Sequence, residues 1–464
     1  MSDAVQPDQP LGRVLDAAED ASPLQAVEAV TEALADSLGA SSAFFLIADL
    51  SGRALVRMSH DASEDQLASQ GLGGREDVVR VDGGEQAVVV EFDHGPVAAA
   101  LRTQRVQVLP PTPERPPGHP ARWVVLVPVT ERGEALGLLQ LSLPAAPDAS
   151  ALAQMARIGH VLAFVVIANR RHTDLFEWAQ RSATFSLPAE IQRRLLPAAF
   201  TCEAGAFTLS AWLEPAASVG GDTFDYSLGR DVLHLSLTDA MGHGVDSALT
   251  ATLCVGSLRN TRREGGSLVE QAAAANAAMV DHAAASGAEG FATGMVGRVD
   301  LTTGVLSMVN AGHVAPYLCR DGATTAVTLP VDLPLGLFAD TAYRSTEIPL
   351  RPGDRLVLVT DGMLERDAAT LDVSAQITRT RTLHPREATR VLTDAVVMLS
   401  DGALADDATL MVLDWHGGHG ALRRTTAGAE QGRTSPKSYA EGVTAAGGAA
   451  PRLNGVPDGS DPRT

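Results

Sequence analysis

Four aspartates carry the chemistry legible in this chain: Asp222, Asp239, Asp361 and Asp406. Each stands where a strand-like apolar run meets a turn. Leu233, Leu235 and Leu237 alternate, so they share one side of a strand, and Asp239 falls at or just past its C-terminal end. Leu356 to Val359 is a solid apolar run that ends in Thr360-Asp361-Gly362, and Asp406-Asp407-Ala408-Thr409 leads into a last strand over 410–413. Gly220-Gly221 before Asp222 and Gly242 and Gly244 after Asp239 let backbones turn tightly and approach closely. Asp222 is expected on a strand beside that of Asp239, joined through the turn near Gly229-Arg230-Asp231. Carboxylates grouped with main-chain carbonyls and water suit Mg2+ or Mn2+ in octahedral oxygen geometry, whereas zinc prefers His or Cys. Two such ions about 4 Å apart share a water, bring its pKa toward neutrality and offset charge on a phosphoryl oxygen. That is the apparatus for in-line hydrolysis of a phosphate ester. One Asp-Gly pair is commonly just a turn; four aspartates, each beside the right strand, form a pattern.

The rest of the composition narrows the setting. A chain of 464 residues is too long for one ordinary domain, and 45% hydrophobic content supports more than one core. The net charge of −20 is spread along the chain, which argues against a nucleic-acid partner. An acidic protein acting on phosphoesters also needs metal to offset repulsion from its substrate. Cys202, Cys254 and Cys319 are scattered and show neither a disulfide framework nor zinc spacing, so a reducing cytoplasm is expected. The opening residues lack the basic and apolar regions of a signal peptide. The longest apolar run, Val161 to Ala168, is far shorter than the ~20 residues of a membrane span, so no membrane partner is expected.

These elements must position the aspartates. Residues 1–11 read as disordered. Leu24, Val27, Val30, Leu34 and Leu38 follow helical spacing up to Gly39; strands follow over 43–49 and 53–58. Trp123 to Val129 and Leu136 to Leu143 form a hairpin about Glu131-Arg132-Gly133-Glu134. Leu152, Met155, Ile158, Leu162 and Val165 recur at three- and four-residue steps, as in a helix-pairing seam. A second helix starts near Pro188, with Leu187, Ile191 and Leu195 on one face. Helices over 245–263 and 267–284 sit between strands of the acidic part. From about residue 416 the chain is rich in Gly, Ala, Ser, Thr, Arg and Pro without periodicity and reads as a disordered tail. The resulting domains are 12–150, a helical linker over 151–197, and 198–415.

Two resemblances attach to these segments. The helix–strand–turn–strand opening and its closing RGEALGLLQL hairpin resemble a GAF domain, a small-ligand and dimerisation module. The segments VGGDTFD (219–225), LTDAMGHG (237–244), VNAGHVAPYL (309–318), LPLGLF (333–338), LRPGDRLVLVTDGMLE (350–365) and DDATLMVL (406–413) resemble the PP2C-type (PPM) serine/threonine phosphatases of the bacterial RsbU/SpoIIE-like branch. AEIQRRLLPA (189–198) looks like that branch's lead-in helix. The fold class implied is α+β: a PP2C-like α/β/β/α sandwich after a GAF-like α+β domain and a helical linker. The resemblance implies that Asp222 and Asp239 hold a metal pair, with Asp239 bridging and the Ala240 carbonyl contributing. Asp361 and Asp406 would complete one metal's shell, with Asp407 an unseparated alternative to Asp406. Asp225 would cap or brace its loop or serve as an outer ligand. His243 would protonate the leaving serine oxygen or brace the loop, and His313 would be structural. No arginine before Asp222 matches the phosphate clamp of the eukaryotic relatives, which implies weak affinity for small phosphoesters. The implied substrate is a phosphorylated STAS-domain anti-anti-sigma protein. A small-molecule or protein signal would act at the GAF-like domain, and the linker would make a homodimer. The alternative is a catalytically silent partner-binding regulator of the same fold, whose expected sign is loss of acidic ligands; all four are present.

Overall fold

The computed structural model describes residues 9–23, 25–49, 54–59, 76–82, 85–91, 95–111, 122–181, 185–216, 220–287, 290–364, 372–400, 404–418 and 422–433. The expected loose residues 1–8 and the tail from 434 to 464 lie outside that set.

The first unit begins with helices α1 (Gln9–Asp20) and α2 (Ala26–Leu38). The expected disordered start therefore shortens, because residues 9–11 already belong to a helix. Strands β1 (Ser42–Ala48), β2 (Ala54–Ser59), β3 (Glu76–Asp82) and β4 (Glu85–Glu91) follow, then α3 (Gly95–Thr103), β5 (Gln107–Leu109), β6 (Trp123–Glu131), β7 (Glu134–Leu143) and α4 (Ala149–Asn169). The seven strands form one antiparallel sheet in the order β3-β4-β2-β1-β7-β6-β5. The β6–β7 turn has positive φ at both Arg132 (45°) and Gly133 (80°), the pattern that matches strand twist in a two-residue hairpin.

α4 departs from the expected connector. Met155, Ile158, Leu162 and Val165 are buried with Val30 and Leu34 of α2 and Val125 and Val127 of β6. The apolar seam is thus a core face of the first unit, and its spacing is equally that of any amphipathic core helix. The stretch Ala149–His172 is long and apolar enough, by length and composition, to cross a membrane. Short helices α5 (Leu175–Ala179) and α6 (Leu187–Leu195) lead out of this unit, α6 with Pro188 in its first turn and the Ser186 side chain as its N-cap.

The second unit contains β8 (Thr201–Glu203), β9 (Phe207–Glu214), β10 (Asp222–Leu228), β11 (Val232–Ala240), α7 (Val245–Arg263) and α8 (Leu268–Ser286). It continues with β12 (Ala292–Asp300), β13 (Val305–Ala311), β14 (Tyr317–Arg320), β15 (Ala323–Ala326), β16 (Ser345–Pro349), β17 (Arg355–Val359), α9 (Val373–Arg379), α10 (Pro385–Leu399) and β18 (Ala408–Trp415). They build a five-stranded sheet, β10-β11-β12-β13-β16, and a six-stranded sheet, β15-β14-β17-β18-β9-β8. Side-chain alternation shows how they stack. Phe224, Leu233, Leu235 and Leu237 from one sheet share a core with Leu356, Leu358, Met411 and Leu413 from the other. Val357, Val359, Leu410 and Val412 point the opposite way, into a core with Ile377, Leu392 and Val396 of α9 and α10. On the far side, α7 and α8 pack on Val296 and Val309. The result is the expected helix–sheet–sheet–helix sandwich.

One segment beyond the last strand contradicts the expected disorder. Residues 422–433 run back over the junction of the two units. Gly133 N donates to Gly428 O (3.1 Å), Thr130 Oγ1 donates to Ala427 O, and Gln431 Nε2 donates to Gln104 O (3.0 Å), all reaching the first unit. Arg423 Nη2 donates to Glu203 Oε2 (2.8 Å), and Arg433 Nη1 donates to Thr208 Oγ1 (3.0 Å), reaching the second. Its composition is that of a loop, and these distant partners tie it to both units.

Candidate metal centre

Asp222 opens β10 and faces Asp239 directly across the antiparallel pair. The strands join at Gly229–Asp231, as the sequence led us to expect. Opposed residues on such strands hold their Cβ atoms about 4.5–5.5 Å apart. By alternation both lie on the side of Phe224 and Leu237, facing the gap between the sheets at its open end. Asp222 is 2% exposed, while Asp239 is half-buried. Burial first, then the negative charges of Asp239 and Asp407, push the Asp222 carboxyl well above its ordinary range, against hydrogen bonds from Thr409 and Thr360. A carboxylate so placed needs a cation to ionise comfortably.

The second sheet brings the other pair to the same end. Val359 and Leu410 are partners on β17 and β18, so Asp361, just after one, and Asp406, just before the other, flank the same edge. Thr360 Oγ1 donates to Asp222 Oδ2 (2.8 Å) and accepts from Thr409 N (3.0 Å), tying the two sheets beneath the carboxylates. Gly221 is required here: a Cβ on it would lie 2.3 Å from the Ala240 carbonyl oxygen. A Cβ on Gly220 would lie 3.0 Å from Asp406 Oδ1 and from Asp407 Oδ2. The structure thus draws the Asp222 strand, the Ala240 carbonyl and the Asp406–Asp407 loop together. Among the described residues, no group of three or more His, Cys, Asp or Glu side chains stands close enough together to hold a metal ion. Asp222 and Asp239 end strands of one sheet while Asp361 and Asp406 flank an edge of the other, and their all-oxygen chemistry suits a hard divalent cation.

Asp406 and Asp407 differ in burial and in partners. Asp407 is 1% exposed; its Oδ1 accepts from Ala216 N (2.8 Å), and its Oδ2 accepts from Gln192 Nε2 (2.6 Å) and Gly220 N (3.1 Å). Those donors make Asp407 a brace for the Gly220 loop. Asp406 is half-buried and accepts from Asp407 N (2.8 Å). Asp406→Asn is therefore expected to lose the Mn2+-induced rise in melting temperature with little change in metal-free stability. Asp407→Asn sets an amide against protein donors and should cost about 1–3 kcal/mol without metal. Calorimetric melts with and without Mn2+ check both.

Gln192 was not found by sequence reasoning. It is 4% exposed on α6, and its Nε2 donates to Asp222 O (2.9 Å) as well as to Asp407. Only its buried position on an otherwise polar helix face could have signalled it. Gln192→Ala should lower metal affinity or turnover by about 10–100-fold, the usual loss for a partner that orients a ligand. A Mn2+ titration of activity reads it.

The histidines divide. His313 is 6% exposed, with Nδ1 2.9 Å from Thr293 Oγ1 and Nε2 3.1 Å from Val359 O. The carbonyl only accepts, so Nε2 carries the proton and Nδ1 accepts from the threonine. Burial pushes the ring down to about 4, so it is neutral at pH 7. Thr293 is the cross-strand partner of Asp239, so His313 pins the two sheets beside the site. His243 is exposed on the loop between β11 and α7, at the rim, and no hydrogen bond joins it to the aspartates. Asp225 faces α7 and pairs with Arg259 (2.9 Å) and Arg262 (3.0 Å), the bracing arrangement of the two roles expected for it. Its alternation puts it on the opposite side of β10 from Asp222.

Comparison with known proteins fits this geometry. Residues 229–416 match the family model described as Stage II sporulation protein E (SpoIIE), a span that includes Asp239, His243, Asp361, Asp406 and Asp407 but not Asp222. That match spans less than half of the chain and supports a SpoIIE-type phosphatase domain over those residues. It is 23% identical over 236 residues to phosphoserine phosphatase RsbU of Bacillus subtilis, covering 49% of this chain and 68% of RsbU. It is 22% identical over 165 residues to phosphoserine phosphatase RsbP of the same organism, covering 35% of this chain and only 40% of RsbP. Among solved structures, the catalytic domain of the serine/threonine protein phosphatase PstP in complex with two manganese ions aligns with a TM-score of 0.35 and 18% identity. That alignment covers 45% of this chain and 97% of PstP's.

Proposed function

We infer that the chain is a Mn2+/Mg2+-dependent protein phosphatase that removes phosphate from a serine or threonine of a STAS-domain anti-anti-sigma protein in a partner-switching pathway. The observation that carries the reading is the facing pair Asp222 and Asp239, joined through Thr360 to the strand that presents Asp361. Asp222, Asp239, the Ala240 carbonyl, Asp361 and Asp406 would hold the metal pair. When bound, the ions supply an acidified water and neutralise charge on the phosphoryl group. The water oxygen forms a bond to phosphorus as the bond to the serine oxygen breaks, yielding inorganic phosphate and a free hydroxyl. His243, which is exposed, would give the departing oxygen its proton. His313 and Thr360 hold the two sheets in register around the reacting centre.

A protein substrate suits the rim. Met241, Val245 and Leu249 are exposed just after Asp239 and Ala240. Leu333, Leu337 and Phe338 are exposed on the neighbouring loop, whose Leu335 bridges to Ala292, the strand partner of Ala240. With no arginine clamp identified, such apolar contacts would carry the affinity that phosphate alone does not. For control, residues 12–150 would act as a GAF-like sensor, in the cytoplasm, and α6 would report its state to the centre through Gln192. A homodimer would need a surface other than the α4 seam.

The deciding assay presents phosphorylated STAS proteins of the same cell to the full chain. Release of phosphate with Mn2+ and none with EDTA is expected. Metal-independent release, or none from any STAS protein, overturns the reading.

A further inference from the structure

Between the two units lies a cavity of about 160 Å³, away from the carboxylates. Leu101 and Ala135 of the first unit line it, with Phe200 and Trp212 of the second and the side of α10 that carries Arg390 and Thr393. Three buried polar atoms of α10 have no hydrogen-bond partner: Glu387 Oε2, Arg390 Nε and Thr393 Oγ1. Glu387 is 5% exposed and Thr393 2%. Arg390 Nε stands 3.6 Å from Glu387 Oε2, beyond hydrogen-bond reach. Buried polar groups are normally matched, so three orphans beside one cavity are informative.

We propose that this interdomain cavity binds a small, planar, uncharged molecule with an amide or lactam edge. An amide carbonyl accepts from Arg390 Nε–H while its N–H donates to Glu387 Oε2, and the Thr393 hydroxyl serves either. Phe200 and Trp212 supply flat apolar walls, which favour a ring. The volume fits one ring, since a cavity of about 150 Å³ takes benzene. Charged groups of both signs line the space, Asp49, Glu134, Glu387 and Asp394 beside Arg102, Arg386 and Arg390, so it favours neither sign. Arg390 Nη1 donates to Asp394 Oδ2 (2.9 Å), and the Arg386 guanidinium donates to Gly133 O (2.6 Å) and Arg102 O (2.7 Å). A net charge of either sign on the occupant would lie buried beside lining groups of like charge as well as opposite charge, so an uncharged occupant is favoured. Because both units line the space, an occupant holds them together.

The test is ligand-observed saturation-transfer NMR on the full chain with 2-pyridone, read independently of any phosphatase activity. Saturation of 2-pyridone is expected, with N-methyl-2-pyridone, which lacks the N–H, at least tenfold weaker. Ala135→Leu, which fills the cavity, should abolish the signal. Thr393→Val removes only an unpartnered hydroxyl, leaves the fold intact and should weaken binding at least fivefold. Absence of saturation in the intact chain, equal binding of the N-methyl compound, or full binding by both variants overturns the proposal.

Discussion

Asp239→Asn is expected to abolish Mn2+-dependent phosphoester hydrolysis, by roughly a thousandfold or more, beyond the 10–100-fold typical of a supporting partner. The same change should leave the metal-free protein at least as stable as the parent. Asp239 is half-buried at a strand end, so its side chain holds no core together. It faces Asp222, whose carboxyl is already pushed up by burial and by this neighbour's charge. Removing one of two like charges across a strand pair relieves repulsion. A ligand-induced stabilisation of about 2.7 kcal/mol, expected when Mn2+ stands at a hundredfold its dissociation constant, should vanish with the substitution. Melts in EDTA and in Mn2+, alongside turnover, read both halves. A folded variant that keeps its turnover removes Asp239 from the catalytic centre.

The second large effect lies far from the chemistry. Glu203 is fully buried at the edge of β9's sheet and accepts from His384 Nε2 (3.1 Å), Arg423 Nη2 (2.8 Å) and Glu430 N (2.8 Å). His384 is itself pushed down by burial, and its Nδ1 accepts from Arg386 N (3.2 Å). It is therefore a neutral donor, and Arg423 supplies the balancing charge. Arg423→Ala leaves a buried carboxylate uncompensated and should cost about 3–5 kcal/mol. In a Glu203→Gln background the same substitution should cost less than about 1 kcal/mol, as for an ordinary exposed pair. Equal losses in the two backgrounds would dismiss the ion pair. The pH dependence has a definite sign. Burial alone would raise Glu203, yet its donors hold it down at about 2, against an ordinary 4.5. Its contribution is complete above pH 4.5 and fades as pH falls toward 2. His384, with its lowered pKa, weakens the junction in the same direction from about pH 6.5 downward. Limited proteolysis between residues 416 and 434 across pH 7 to 3 follows the release.

The aspartates and their strands were legible because both signals are local. Alternation fixed the side on which Leu233, Leu235 and Leu237 lie, and Asp239 had to follow them. The turn at Gly229 fixed the partner of Asp222. What escaped depends on partners far along the chain. Residues 422–433 look like a featureless tail until Glu203, Gln104 and Thr208 are placed beside them. Gln192 reads as one more polar helix residue until Asp407 approaches its amide. The α4 seam carries a spacing that serves a coiled pair and a core helix equally, and only the packing of Val125 and Val127 decides between them. Asp407 and Asp406 differ by one position, and the loop's donors alone tell them apart.

The place of β18 sets a rule for biosynthesis. β18, the last strand of its sheet along the chain, sits in that sheet's interior, between β17 and β9. Until the ribosome has delivered it, β9 waits beside no central partner and Asp406 does not exist. A polypeptide that ends before residue 406 thus leaves the centre of this sheet unfilled, and the sandwich can close only after β18 has been made. Such long-range pairing also makes maturation slow relative to helical proteins of equal size.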